Sequence, residues 1–108
     1  MITIEQFQQI ELRVATVLVA ERIEGAGRLL KLQIDLGTEQ RQIVAGIAKF
    51  YSPDELVGKQ LVIVANLQPA VIRGVESNGM LLAASSDDGT QLAFVTPQRL
   101  VPNGGRVK

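Results

Sequence analysis

Two adjacent carboxylate pairs, Asp54 with Glu55 and Asp87 with Asp88, come nearest to catalytic spacing, because paired carboxylates serve as general acid and base or hold a hard cation. Their neighbours assign both to structure. Ser52 and Pro53 precede the first pair, the order of a capped helix start with acids at its positive dipole end. The second pair lies within Ser85 to Gly89, which is turn composition. Cys and His are both absent, which removes thiolate nucleophiles, imidazole bases and zinc sites built from those ligands. Gly104 and Gly105 lack the following Lys and Ser or Thr of a phosphate loop. The sequence therefore predicts a non-catalytic chain with no metal and no cofactor.

Eleven Lys and Arg balance eleven Asp and Glu over 108 residues, with 46% hydrophobic and 20% charged, which is the composition of one folded domain rather than a disordered or basic tail. Polar Thr3, Glu5 and Gln6 stand where a signal peptide needs an apolar run, and no stretch approaches the roughly 18 apolar residues of a membrane span. With no Cys, the expectation is a cytoplasmic protein without a membrane partner.

Two helix starts position the early chain. Thr3 to Gln6 reads as a capping box with Ile2 and Phe7 as its hydrophobic staple, and Ser52 to Val57 as a second short helix, with Tyr51 and Leu56 as staple and Gly58 as stop. The remainder reads as strand. Val14 to Ile23 is rich in strand formers, and Leu30, Leu32, Ile34 and Leu36 alternate with Lys31, Gln33 and Asp35, leaving those three on a polar face. A turn over Leu36 to Glu39 returns Arg41 to Val44 as a hairpin partner. Leu61 to Val64 and Met80 to Ala84 suit strands buried on both sides, with Gly58, Gly74 and Gly79 between the elements. Five strands with a helix after the third is the order of an OB-fold, so residues 1–108 are read as one all-β domain: a five-stranded barrel over about 14–84 with a C-terminal extension over about 85–108.

The extension carries a further strand at Gln91 to Val95, then Leu100 and Val101, a turn at Pro102 to Gly105 and the ending Arg106, Val107, Lys108. Apolar surface appended to a barrel must cover either that barrel or a second subunit. The sequence reading takes the second option, a homodimer whose interface uses Phe7, Leu92, Phe94 and Leu100. Phe7, Phe50, Tyr51 and Phe94 are the only aromatics, too few for a base-stacking platform, and the cations are dispersed. Composition alone leaves the function open.

Several motifs in order change that. Val64, Ala65, Asn66, Leu67, Gln68, Pro69, then Gly74 to Met80 and Leu82, Ala83, Ala84, resemble the signature of a tRNA-binding OB-fold family that includes the C-terminal domain of bacterial methionyl-tRNA synthetase and a free-standing bacterial tRNA-binding protein. Phe7 to Val14, Leu29 to Leu32, Arg41 to Ile47 and the Val107, Lys108 ending resemble it too. The resemblance implies a homodimer that binds tRNA by structure, through Lys31 and Arg41 on the polar side of the second and third strands and through Asn66, Ser77 and Met80 on the segments beside them, with Gly79 allowing close backbone approach. Arg73 joins this set, and Arg28 and Lys49 lie at the rim, where loops beside a barrel bring cations to phosphate. Gln68 and Ala45 stand where members often carry Lys and Ser, which removes one cation and one hydroxyl from the usual face. Two functions follow. The chain is a tRNA-binding module that acts alone or beside a methionyl-tRNA synthetase catalytic domain, raising the effective concentration of tRNA there, or it is a dimerisation and assembly module with residual RNA affinity.

Overall fold

Alternation writes the central hairpin. In β2 (Ala26–Asp35), Leu30, Leu32 and Ile34 are fully buried, while Leu29, Lys31, Gln33 and Asp35 face the other way and are half-buried. The computed structural model describes residues 1–108. β3 (Gln40–Ala45) returns antiparallel, with Leu32 opposite Ile43 and Gln33 opposite Gln42. β1 (Leu12–Ile23) pairs with β2 through its C-terminal half and with β4 (Gln60–Val64) through its N-terminal half. A long strand shared in this way bends one sheet towards a barrel, helped by register shifts between Val17 and Val19 and between Arg22 and Ile23. The inner faces meet in one core of Ala15, Val17, Leu30, Leu32, Ile34, Ile43, Leu61, Ile63 and Leu81, which Leu56 of α2 (Pro53–Leu56) joins.

Both helix starts form. The Thr3 hydroxyl accepts from the Gln6 amide at 3.1 Å and the Gln6 side chain accepts from the Thr3 amide at 2.8 Å, opening α1 (Ile4–Gln8). Ile2 stays 67% exposed, so the expected staple with Phe7 buries little. At α2 the Glu55 carboxylate accepts from the Ser52 amide at 2.7 Å, the structural use expected of that carboxylate.

The ladder runs β3, β2, β1, β4, β7, where β7 is Met80–Leu81. Side chains and single backbone bonds, not a ladder, bring the last segment onto β3. The Asn78 amide donates to the Gln42 carbonyl at 2.8 Å, and the Val44 amide donates to the Ser77 hydroxyl at 2.9 Å. Gly79 follows them at φ 132°, a conformation that favours glycine, and a Cβ there would press within 3.2 Å of the Val64 carbonyl oxygen. The all-β, OB-like architecture expected from strand order is present.

One strand differs from the sequence reading. All five residues of β4 are buried as expected, but Met80 to Ala84 is not one strand buried on both sides: Met80, Ala83 and Ala84 are exposed. The reason is a change of partner. The Leu82 amide still donates to Val62, after which Val95 takes over, accepting from the Val62 amide at 3.1 Å. Residues Ala83–Ser85 (β8) therefore peel away and pair with Leu92–Phe94 (β9).

The rest of the C-terminal segment is a strap across the same barrel. Gln60, 7% exposed, holds Val101 through both ends of its amide and reaches Asn103, and Thr16 donates to Asn103 at 2.8 Å. Arg106–Val107 (β10) then pairs with β1 opposite Leu12 and Arg13. Leu92 and Phe94 pack against the barrel core, the Phe94 ring tilted at 57° to that of Tyr51 with centroids 5.1 Å apart. Of the proposed dimer contacts, Phe7 is half-buried and only Leu100 is fully presented, at 81% exposure.

Candidate nucleic-acid interface

Sheet register separates residues that the sequence reading placed on one polar face. Lys31 lies opposite Val44, sharing its face with Gln33 and Gln42, whereas Arg41 lies opposite Ile34 and shares the face of Ile43. Lys31 and Arg41 therefore point to opposite sides of the hairpin, a correction to the expected common face. The Arg41 guanidinium donates to the Ala65 carbonyl and pairs with Glu39 at 2.7 Å, closing the barrel end; its side chain is 18% exposed. Asn66 works in the same region. Its carbonyl accepts from the Glu11 amide at 2.9 Å and its amide donates to the Gln9 carbonyl at 2.7 Å, tying the α1 to β1 connection to the end of β4. Ser77 is 4% exposed, and its hydroxyl accepts from the Val44 amide at 2.9 Å and donates to the Gly79 carbonyl at 3.0 Å.

Two polar clefts result. The first holds Arg41 with Glu39 and Arg13 with Glu11, beside Asn103 and Gly104 of the strap. Each guanidinium already has a carboxylate, so the cleft carries no spare charge for a phosphate. The pairing holds both carboxyls below their ordinary 4.5, chiefly through the hydrogen bond from Arg13 to Glu11 and from Arg41 to Glu39. A depressed folded-state pKa gives stabilisation that is complete above the ordinary value and is lost as pH falls through the folded one. Thermal unfolding from about pH 7 to about pH 3 should thus show a loss of stability below about pH 4.5 that Glu39→Gln reduces. Asp88, held at about 2 by bonds from Ser86 and Thr90, extends the loss to lower pH and confirms the turn role expected of that carboxylate.

The second cleft is different. Arg28, Lys49 and Arg73 line it, together with Leu29, Ile72 and the glycine-bearing β1 to β2 turn at Gly25 to Gly27. No carboxylate is among its lining residues, and none of the three cations takes part in a salt bridge. It is bounded by the first interstrand turn and by the hairpin of β5 (Ala70–Ile72) and β6 (Val75–Ser77), the two loops that frame ligands on OB-folds. The residues expected at the rim, Arg28 and Lys49, thus lie together with Arg73. Lys31 is half-exposed on β2 with Glu21 3.7 Å away, and Met80 is exposed on β7. The register of β2 and β3 was countable from the turn at Leu36 to Glu39, but the convergence of positions 28, 49 and 73 has no local signal.

The family described as "Putative tRNA binding domain" matches residues 12–106. A methionine–tRNA ligase of Thermotoga maritima is 58% identical over 94 residues, covering 87% of this chain and 15% of that enzyme. One from Bacillus subtilis is 54% identical over 107 residues, covering 99% and 16%. The chain spans about a sixth of the length of these curated relatives. Among solved structures, a MetRS-related protein from Pyrococcus horikoshii superposes with a TM-score of 0.95 at 39% identity, covering 100% of this chain and 98% of that one. A CsaA chaperone from Bacillus anthracis strain Ames gives 0.91 at 31%, covering 100% and 99%. No helix is long and apolar enough to cross a membrane. With the family match covering nearly the whole length, this chain belongs to the tRNA-binding domain family.

Proposed function

We propose that the domain binds tRNA without catalysing a reaction, and that it does so at the cleft of Arg28, Lys49 and Arg73, with Lys31 and Met80 flanking. The observation that carries this reading is the meeting of three unpaired cations in a groove without an acid, on a chain whose formal net charge is zero. Phosphate contacts need local charge rather than net charge, and recognition by RNA shape needs few aromatics. Arg41, Asn66 and Ser77 serve this surface from behind, fixing the barrel end and the hairpin base. In a longer synthetase, or in trans beside one, such a module raises the effective concentration of tRNA near the catalytic domain.

Filter binding of unfractionated tRNA across a salt series tests the reading. Arg28→Ala and Lys49→Ala should each reduce the salt slope by about 0.7 to 0.9, while Arg22→Ala, which removes an equal charge outside the cleft, leaves it unchanged. Equal effects from all three would mean a diffuse electrostatic attraction instead.

The same reading includes a homodimer, supported by the exposed apolar residues Ile2 ahead of α1, Ile4 on it, and Leu100 and Val101 on the strap. Leu92 and Phe94 contribute by shaping the strap through their own barrel. Sedimentation at on the order of tens of micromolar should give a dimer that Leu100→Asp converts to monomer. A monomeric parent chain would remove the dimer from the account and leave the RNA cleft untouched.

A further inference from the structure

Arg73 occupies a costly backbone position. It is the only non-glycine residue with positive φ, at 53°, and with Gly74 at 78° it forms the two-residue tip between Ile72 and Val75, which pair across the hairpin. A tip with both residues left-handed favours Asn followed by Gly, because Cβ crowds the carbonyl in most other residues. An arginine there loses stability for nothing unless its guanidinium is used. The hairpin behind it is a cantilever. Val71 is 72% exposed, and residues 76–78 carry the three hydrogen bonds that join this segment to β3. Besides the bonds of Asn78 to Gln42 and of Val44 to Ser77, the Gln42 side-chain amide donates to the Glu76 carbonyl at 2.9 Å. Gln42 is itself aimed by Gln33, whose amide donates to its side-chain oxygen at 2.9 Å.

We propose that Gln42 is a positioning residue for RNA binding, bracing the β5–β6 hairpin so that the strained Arg73 is presented to the groove as a preset cation. This rests on the assignment of the cleft to RNA and adds that the geometry of Arg73 is supplied by an uncharged side chain on β3. A free hairpin would have to be ordered on binding, whereas the braced one has its orientation fixed beforehand.

The test uses the full chain, unfractionated tRNA and four proteins: parent, Arg73→Asn, Gln42→Met and the double variant. Arg73→Asn should raise the unfolding temperature by about 4 °C while weakening tRNA binding, since it relieves the left-handed strain and removes a charge. Near 0.1 M salt, loss of one phosphate contact corresponds to about a sixfold loss of affinity. Gln42→Met keeps the side-chain volume and removes no charge, yet it should lower the salt slope by most of the about 0.7 to 0.9 lost in Arg73→Asn. The double variant should bind within about twofold of Gln42→Met alone, the non-additivity of two residues acting as one unit. If Gln42→Met does not fold, Gln33→Ala releases the same amide without touching the hairpin and should lower the slope in the same direction. Full additivity in the double variant, or an unchanged salt slope in Gln42→Met, overturns the brace while leaving the cleft assignment in place. Unchanged affinity in Arg28→Ala, Lys49→Ala and Arg73→Asn together overturns the cleft itself.

Discussion

Replacing Arg28 and Lys49 together by glutamate is expected to lower tRNA affinity by about 40-fold near 0.1 M salt from lost counterion release alone, and further through repulsion of phosphate. Fold stability should change little. Both side chains are exposed and neither makes a salt bridge, so the barrel does not depend on them. Filter binding for affinity and thermal unfolding for stability separate the two effects. The opposite pattern is expected for Arg41→Ala and Asn66→Ala, whose polar groups hold the barrel end, so their affinity losses should track destabilisation.

Gly104→Val should produce the largest loss of stability, about 3 kcal/mol. Gly104 has φ 87°, and a Cβ there would collide with the Leu36 carbonyl oxygen. Backbone cannot give way as a flexible side chain does. The Gly104 amide also donates to the Val14 carbonyl at 2.7 Å and its carbonyl accepts from Arg13, so displacing it releases the strap and one Arg–Glu pair together. Denaturant unfolding measures the loss, and amide exchange at Val14 reports whether the strap has lifted. A variant as stable as the parent would show that the strap is an appendage and not part of the folded unit.

The hairpin of β2 and β3 was legible because one face is buried, so a period of two is enforced by the core. Both capping motifs were legible because their hydrogen bonds join residues three apart. The strap was not, since its partners Gln60 and Thr16 lie far away in the chain and a buried Gln has no distinctive pattern. Apolar Leu92 and Phe94 announced that something is covered without saying what; Tyr51 and the core answer that question. Family resemblance attached RNA contacts to Arg41, Asn66 and Ser77. Their polar groups turn out to be engaged by Ala65, Gln9, Glu11, Val44 and Gly79, and a long-range hydrogen bond leaves no mark in sequence spacing. Strain at Arg73 was equally invisible, because a turn composition does not reveal which residues take positive φ.

The cleft assignment is tested most directly by titrating the isotopically labelled chain with unfractionated tRNA and following its backbone amides by nuclear magnetic resonance. The account predicts that Gly25, Gly27, Lys49, Arg73 and Gly74 shift or broaden first, while Glu11, Glu39 and Gly104 at the charge-balanced cleft remain in place. Perturbations centred on Glu11, Glu39 and Gly104, with the β5–β6 hairpin silent, would contradict it.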